Sequence, residues 1–151
     1  MKTIMETFKK ALGFYSGEGI NHEKEKFIGS FDLQEILGGR GFQIKFEAKS
    51  PTNPAAIYHS EVSTVAPNIS NGLSLFNLNT NTPFLAEHTY VESSNSNHMI
   101  FRFGDTPNRN SFREEIHLHL STNEIRYEYH WGMPGGEFQY RSGATMLRNS
   151  K

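Results

Sequence analysis

The chain opens on one hydrophobic rhythm and then changes to another. Met1, Ile4, Met5, Phe8 and Leu12 recur at spacings of three and four, with Lys2, Glu6, Lys9 and Lys10 between them, and Gly13 follows. Such spacing lays apolar side chains along one side of a helix. A short amphipathic helix is therefore expected, ended by the glycine. From residue 13 onward apolar and polar positions alternate in short runs, the pattern of strands with one buried face. Strands are expected at 13–21, 26–37, 41–49, 56–66, 72–79, 84–92, 97–104, 111–120, 123–131 and 137–148. Turn-forming residues separate them, among them Gly38-Gly39, Pro51 to Pro54, Pro67-Asn68, Asn79 to Pro83, Ser93 to Asn97, Thr106 to Asn108, Thr122-Asn123 and Pro134 to Gly136.

Parallel strands need a crossover of a dozen or more residues, and no connection here has room for one. The expected architecture is all-β: an up-and-down antiparallel barrel of about ten strands, with the N-terminal helix plugging one end and residues 1–151 forming one domain. A barrel of this size either fills its interior with side chains or holds one small ligand there.

Two segments predict which face is inside. In 41–49, Phe42, Ile44, Phe46 and Ala48 alternate with Gln43, Lys45, Glu47 and Lys49. In 111–131, a two-residue turn at Thr122-Asn123 pairs Ser121 with Glu124. That register sets Glu115 opposite His130, His117 opposite Glu128 and His119 opposite Arg126, a charged ladder expected to face solvent. The other face pairs Leu118 with Tyr127, Ile116 with Tyr129 and Glu114 with Trp131.

The formal net charge is −1, with 21% charged residues. That lacks the basic surplus of a nucleic-acid footprint. The chain has no cysteine, so neither disulfides nor thiolate chemistry operate. The first twelve residues lack the apolar stretch of a secretory signal, and no apolar run reaches membrane-spanning length. A cytoplasmic protein is expected, and a homo-oligomer is compatible with the pattern.

Gly13-Phe14-Tyr15 at the start of the first strand and Arg148 late in the last resemble the signature of the calycin superfamily, the lipocalin and fatty-acid-binding-protein-like barrels. There a Gly-x-Trp is covered by a basic residue; tyrosine stands here for tryptophan. Gly13 to Gly19 is similar to the opening of the nitrobindin-type haem barrels, and Ile36-Leu37-Gly38-Gly39-Arg40 to a motif of uncharacterised lipocalin-like bacterial families. The resemblance implies a ligand-holding barrel with Arg148 over Tyr15. Two finer implications do not carry over. The nitrobindin-type iron ligand is a histidine in the last strand, and residues 139–151 contain none. The fatty-acid-binding Arg-x-Tyr is replaced by adjacent Tyr140 and Arg141, which point to opposite faces.

Glu114 is the sharpest candidate for chemistry. It falls on the face with Phe112, Ile116, Leu118 and, across the hairpin, Trp131. A carboxyl desolvated against an indole is expected to have a raised pKa. His59 and Glu61 share a face with Ile57 and Val65, although Tyr58, Ser60, Val62, Thr64 and Ala66 make an equally good inner face. His88 shares a face with Ala86 and Tyr90. His117 and His119 project the same way, a spacing some metal sites use, but each has a cross-strand partner on the charged ladder. The glycines of 130–138 suit either a ligand's approach or a plain turn.

These residues assemble into a leading expectation: the barrel binds a small, largely apolar molecule. Tyr127, Tyr129 and Trp131 would stack on it, Phe42, Ile44 and Phe46 would form the apolar wall, and Glu114, His59 and His88 would orient its polar end. Two alternatives stand beside it. One is a barrel isomerase or hydrolase with Glu114 as general acid or base; the other is a haem or metal carrier. No motif specifies a cofactor, metal or catalytic residue set.

Overall fold

The computed structural model describes residues 1–149. Its elements are α1 (Lys2–Lys10), β1 (Gly13–Ile20), β2 (Lys26–Ile36), β3 (Gly41–Lys49), β4 (Ile57–Pro67), β5 (Leu73–Asn79), β6 (Ala86–Val91), β7 (His98–Phe103), β8 (Arg113–Leu120), β9 (Glu124–Gly132) and β10 (Gln139–Arg148). Each strand pairs antiparallel with its neighbour in sequence, and β1 pairs with β10 to close the barrel. The boundaries lie within two residues of those expected from the alternation. Among the described residues, no helix is long and apolar enough to cross a membrane.

The expected faces are present. Phe42, Ile44, Phe46 and Ala48 of β3 are buried. The β8–β9 hairpin has the register read from its turn: Glu114 opposite Trp131, Ile116 opposite Tyr129, Glu115 opposite His130 and His117 opposite Glu128. The Ser121 amide donates to the Glu124 carbonyl at 3.0 Å. On β4 the inner set is His59, Glu61, Ser63 and Val65, since the last three are buried while Tyr58 and Val62 are exposed.

Helix α1 closes one end. Phe8 is fully buried and stacks on Phe42, with ring centroids 5.0 Å apart and planes 18° from parallel. Ile4, Met5 and Leu12 pack against the same core. Tyr15 Oη donates to the Ala11 carbonyl at 2.7 Å, and Arg148 donates to the Leu12 carbonyl. The Arg148 guanidinium lies 4.9 Å from the centre of the Tyr15 ring, the packing that the calycin resemblance implies. Gly13 has φ +142°, and a Cβ there would collide with Arg148, so both the turn out of the helix and the arginine's seat require glycine.

Candidate functional site

The opposite end of the barrel is not filled. A cavity of about 460 Å³ opens there, ringed by the β1–β2, β5–β6, β7–β8 and β9–β10 connections. Phe27, Phe46, Ala48, Phe112, Trp131 and Met133 give it apolar walls; His59, Glu114, Tyr129 and Asn79 are among its polar groups.

Trp131 is held from two sides. Between Tyr140 and Ser142 the pairing of β10 with β9 slips by one residue, so Arg141 has no partner across the ladder. Its guanidinium sits 4.5 Å from the indole centre, and its Nε donates to the Trp131 carbonyl at 3.0 Å. His22 meets the indole edge-on at 5.7 Å. The nearby loops are fastened by buried Arg113, which donates to the carbonyls of Thr106, Ser111, Met133 and Gly136. A Cβ at Gly132 would fall 2.6 Å from that guanidinium, so this glycine serves the arginine's close approach.

Two carboxylates face inward. Glu114 is buried on β8, and its Oε1 lies 2.8 Å from Nε2 of His88, which is itself 1% exposed. The carboxyl that the sequence sets against an indole therefore also has a histidine partner, brought from β6, two strands away. Glu61 on β4 is fully buried behind His59 and Tyr129. Its Oε2 accepts from Tyr129 Oη and from Asn77 Nδ2 at 2.7 Å, and His59 Nε2 lies 3.5 Å away. Asn77 also donates to Ser63 Oγ at 2.9 Å, and Asn79 Nδ2 to Asn77 Oδ1 at 2.6 Å.

Burial pushes the Glu61 carboxyl up, but the His59 imidazole and the two neighbouring phenol hydroxyls, of which Tyr129 donates to it, outweigh burial and hold the group below its ordinary value. Burial, reinforced by the negative charge of Glu61, pushes the Tyr127 and Tyr129 hydroxyls well above the usual phenol value, so both stay protonated donors. Four buried polar atoms lack a hydrogen-bond partner among the described residues: His59 Nε2, Glu61 Oε1, His88 Nδ1 and Tyr127 Oη. Such atoms are rare in folded proteins because each costs about 1–3 kcal/mol, and all four belong to inward-facing strands of the barrel.

The expected site residues thus divide by depth. Glu114, Tyr129, Trp131, His59 and Phe46 line the cavity together. Tyr127 lies deeper, its ring packed on Phe46 and Phe31 at 5.0 and 5.3 Å. His88 stands behind Glu114. Phe42 lies under the helix at the other end, stacked on Phe8, and does not line the cavity. Sequence reasoning passed over Asn77, Asn79 and Ser63. The signal was there: Asn77 and Asn79 share one face of a strand and sit beside a strand carrying His59, Glu61 and Ser63 at the same period.

The charged ladder of β8 and β9 points outward, as its register requires, but it is not simply solvated. Glu115 and His117 are buried, because ring stacking of His117 on His130 and of His98 on His119, at 4.0 and 3.9 Å, covers this wall. Arg102 adds an ion pair to Glu115 at 2.6 Å.

No protein-family model matches this chain, and no curated protein matches it at a significant level. Among solved structures it is similar to Rv2717c from M. tuberculosis, with a TM-score of 0.73 and 12% identity over 97% of this chain and 98% of that one. It is also similar to the S-type phycobiliprotein lyase CPES from Guillardia theta, with a TM-score of 0.57 and 11% identity over 97% of this chain and 92% of that one. At these identities the likeness is one of fold: a closed antiparallel β-barrel.

Proposed function

We propose that the barrel binds one small, largely apolar molecule at its open end, with a hydrogen-bond-donating group of that molecule turned inward. The observation that carries this reading is the cavity of about 460 Å³, with aromatic walls and a polar interior that the protein's own side chains leave partly unpaired. Ligand sites are normally built this way, apolar with a few placed polar groups. Glu114 at the wall and Glu61 behind it are both acceptors, which favours a ligand carrying N–H or O–H groups, or a positive charge, over a carboxylate. Tyr129 and Trp131 supply faces for stacking, and Arg141 fixes the indole.

Trp131 is the single tryptophan and lines the cavity, so its emission reports this site alone. Titration with an anilinonaphthalene fluorophore should change that emission and saturate at one probe per chain. Native mass spectrometry of the protein from its own host should show an added small-molecule mass. A chain that carries no such mass, and whose emission responds to no apolar probe, is not a binding protein of this kind.

A second reading has its own observation. A carboxylate at the cavity wall with a buried imidazole 2.8 Å behind it is the arrangement of a general acid–base pair. An enzyme would release the captured molecule chemically changed; a carrier would release it unchanged.

A further inference from the structure

The chain's seven histidines are sorted by the fold into distinct places. His59 and His88 face the interior, and His22 sits at the rim. The other four, His98, His117, His119 and His130, gather on the outer wall of β7, β8 and β9, away from the cavity. We propose that His98, His117 and His119 form a binding site for a divalent transition-metal ion of the zinc, copper or nickel class, on the outside of the barrel and independent of the ligand cavity.

The register builds the triad. His98 of β7 is paired directly with His119 of β8, and His117 lies two residues before His119 on the same face. One ring nitrogen from each of the three lies within 4.8 Å of the others. His98 Nε2 and His117 Nδ1 are 2.9 Å apart. Two nitrogens bound at ~2.0–2.1 Å to one metal ion lie about 2.9 Å apart at a right angle and about 3.4 Å apart at the tetrahedral angle. The pair is therefore already at chelating distance.

The protein also fixes which atom of His117 is available. Its Nε2 lies 3.0 Å from Glu115 Oε1, and Glu115 is held in turn by Arg102 Nε at 2.7 Å. An ionised carboxylate only accepts, so His117 Nε2 donates and the neutral ring's lone pair falls on Nδ1, facing His98. A histidine ligand whose second nitrogen is held by an anchored carboxylate is the usual supporting arrangement of a metal site. Without an ion, His98 Nε2 donates its proton to that lone pair. On binding, the ion takes the proton's place and His98 carries the proton on Nδ1, so the step needs no net proton release.

The surroundings disfavour the charged form of two of the three rings, and ligation needs the neutral form. Burial, then the neighbouring His119 and His117, hold His98 down at about 4. Burial and Arg126 lower His119 as well. Arg126 Nη2, 3.1 Å from His119 Nδ1, is a like charge against an incoming cation. It is countered by Glu128, paired to Arg126 at 3.2 Å and 3.5 Å from His119. Three imidazole nitrogens suit zinc, copper or nickel better than the oxygen-seeking calcium or magnesium.

The test uses the full chain without a histidine tag. Zn²⁺ is titrated calorimetrically at neutral pH, and Co²⁺ is added separately so that its visible absorption reports coordination. The expected result is one ion per chain at micromolar affinity or tighter, with Co²⁺ bands of nitrogen ligation. His98→Ala and His119→Ala, both on the surface, should fold normally by circular dichroism and each weaken binding about tenfold or more. His22→Ala at the rim should leave it unchanged. Absence of saturable binding at one equivalent overturns the site. So does affinity that survives either the His98 or the His119 substitution to within about threefold.

Discussion

At the helix end of the barrel, Phe8, Phe42, Tyr15 and Leu33 are packed to essentially zero exposure, and the polar atoms near them are spoken for: Tyr15 by Ala11, Arg148 by Leu12. At the other end the same strands enclose two carboxylates, two histidines, an asparagine ladder and a cavity, with several polar atoms left unpaired. One sheet thus carries two opposite solutions. Filling the interior at the first end maximises dispersion contacts and apolar burial. Keeping polar groups inside at the second end forgoes that gain. Proteins commonly give up stability in this manner where a site must be preorganised. The helix end is what makes the open end tolerable, since it supplies the packing the cavity does not.

The largest effect expected from this contrast is at the closed end. Phe8→Ala removes a ring stacked on Phe42 and leaves a hole where α1 meets the barrel. Substitutions of this kind cost about 3–5 kcal/mol. Urea unfolding should show that loss, while affinity for an apolar probe at the far end stays near wild type. A loss below about 1 kcal/mol would mean that α1 does not plug the barrel.

How far the sequence displays this contrast depends on what alternation can encode. A period of two reports inside against outside, so the β3 face and the β8–β9 register are legible residue by residue. It says nothing about depth along the barrel axis. Phe42 and Phe46 alternate identically, yet they are four residues, about 13 Å, apart along the strand, enough to put one under the helix and the other on the cavity wall. Alternation leaves the β4 face open because both its faces mix polar and apolar residues; closure with β5 decides it, by burying Glu61 and Ser63 against Asn77. Nor does any local pattern bring His88 of β6 to Glu114 of β8. That contact arises from barrel curvature across an intervening strand. The cover over Glu115 and His117 likewise comes from stacked rings rather than from strand period.

A smaller effect is expected at Glu61, and it depends on pH. Its carboxyl is held below the ordinary value in the folded protein, so the unfolded chain takes up the proton first as pH falls. The stability it contributes is fully present above the unfolded value, about 4.3, and is lost as pH drops through the folded one. Glu61→Gln should therefore lower stability at neutral pH by about 1–3 kcal/mol, through loss of charge-assisted bonds from Tyr129 and Asn77. The variant and the wild type should converge in acid. A difference that stays constant from pH 7 to well below 4 would show that the carboxylate's charge plays no part in holding the polar wall.

The smallest effect on folding is expected at Glu114, and it discriminates most sharply between the two kinds of end. Glu114→Gln preserves the side chain's shape, and an amide can still bond His88 Nε2 whichever ring nitrogen carries the proton. Stability should then change by less than about 1 kcal/mol, well short of the Phe8→Ala loss, because nothing is left unpaired and no cavity forms. Binding is where the charge should tell. A ligand donor aimed at Glu114 exchanges a charged acceptor for a neutral one, so probe affinity should fall by about fivefold to a hundredfold, the equivalent of roughly 1–3 kcal/mol. On the enzymatic reading the bound molecule would still be captured but no longer converted, which mass spectrometry of the released ligand separates from simple weakening. If the substitution unfolds the protein while probe affinity per folded chain is unchanged, Glu114 and His88 belong to the scaffold, and the open end is built on the same principle as the closed one.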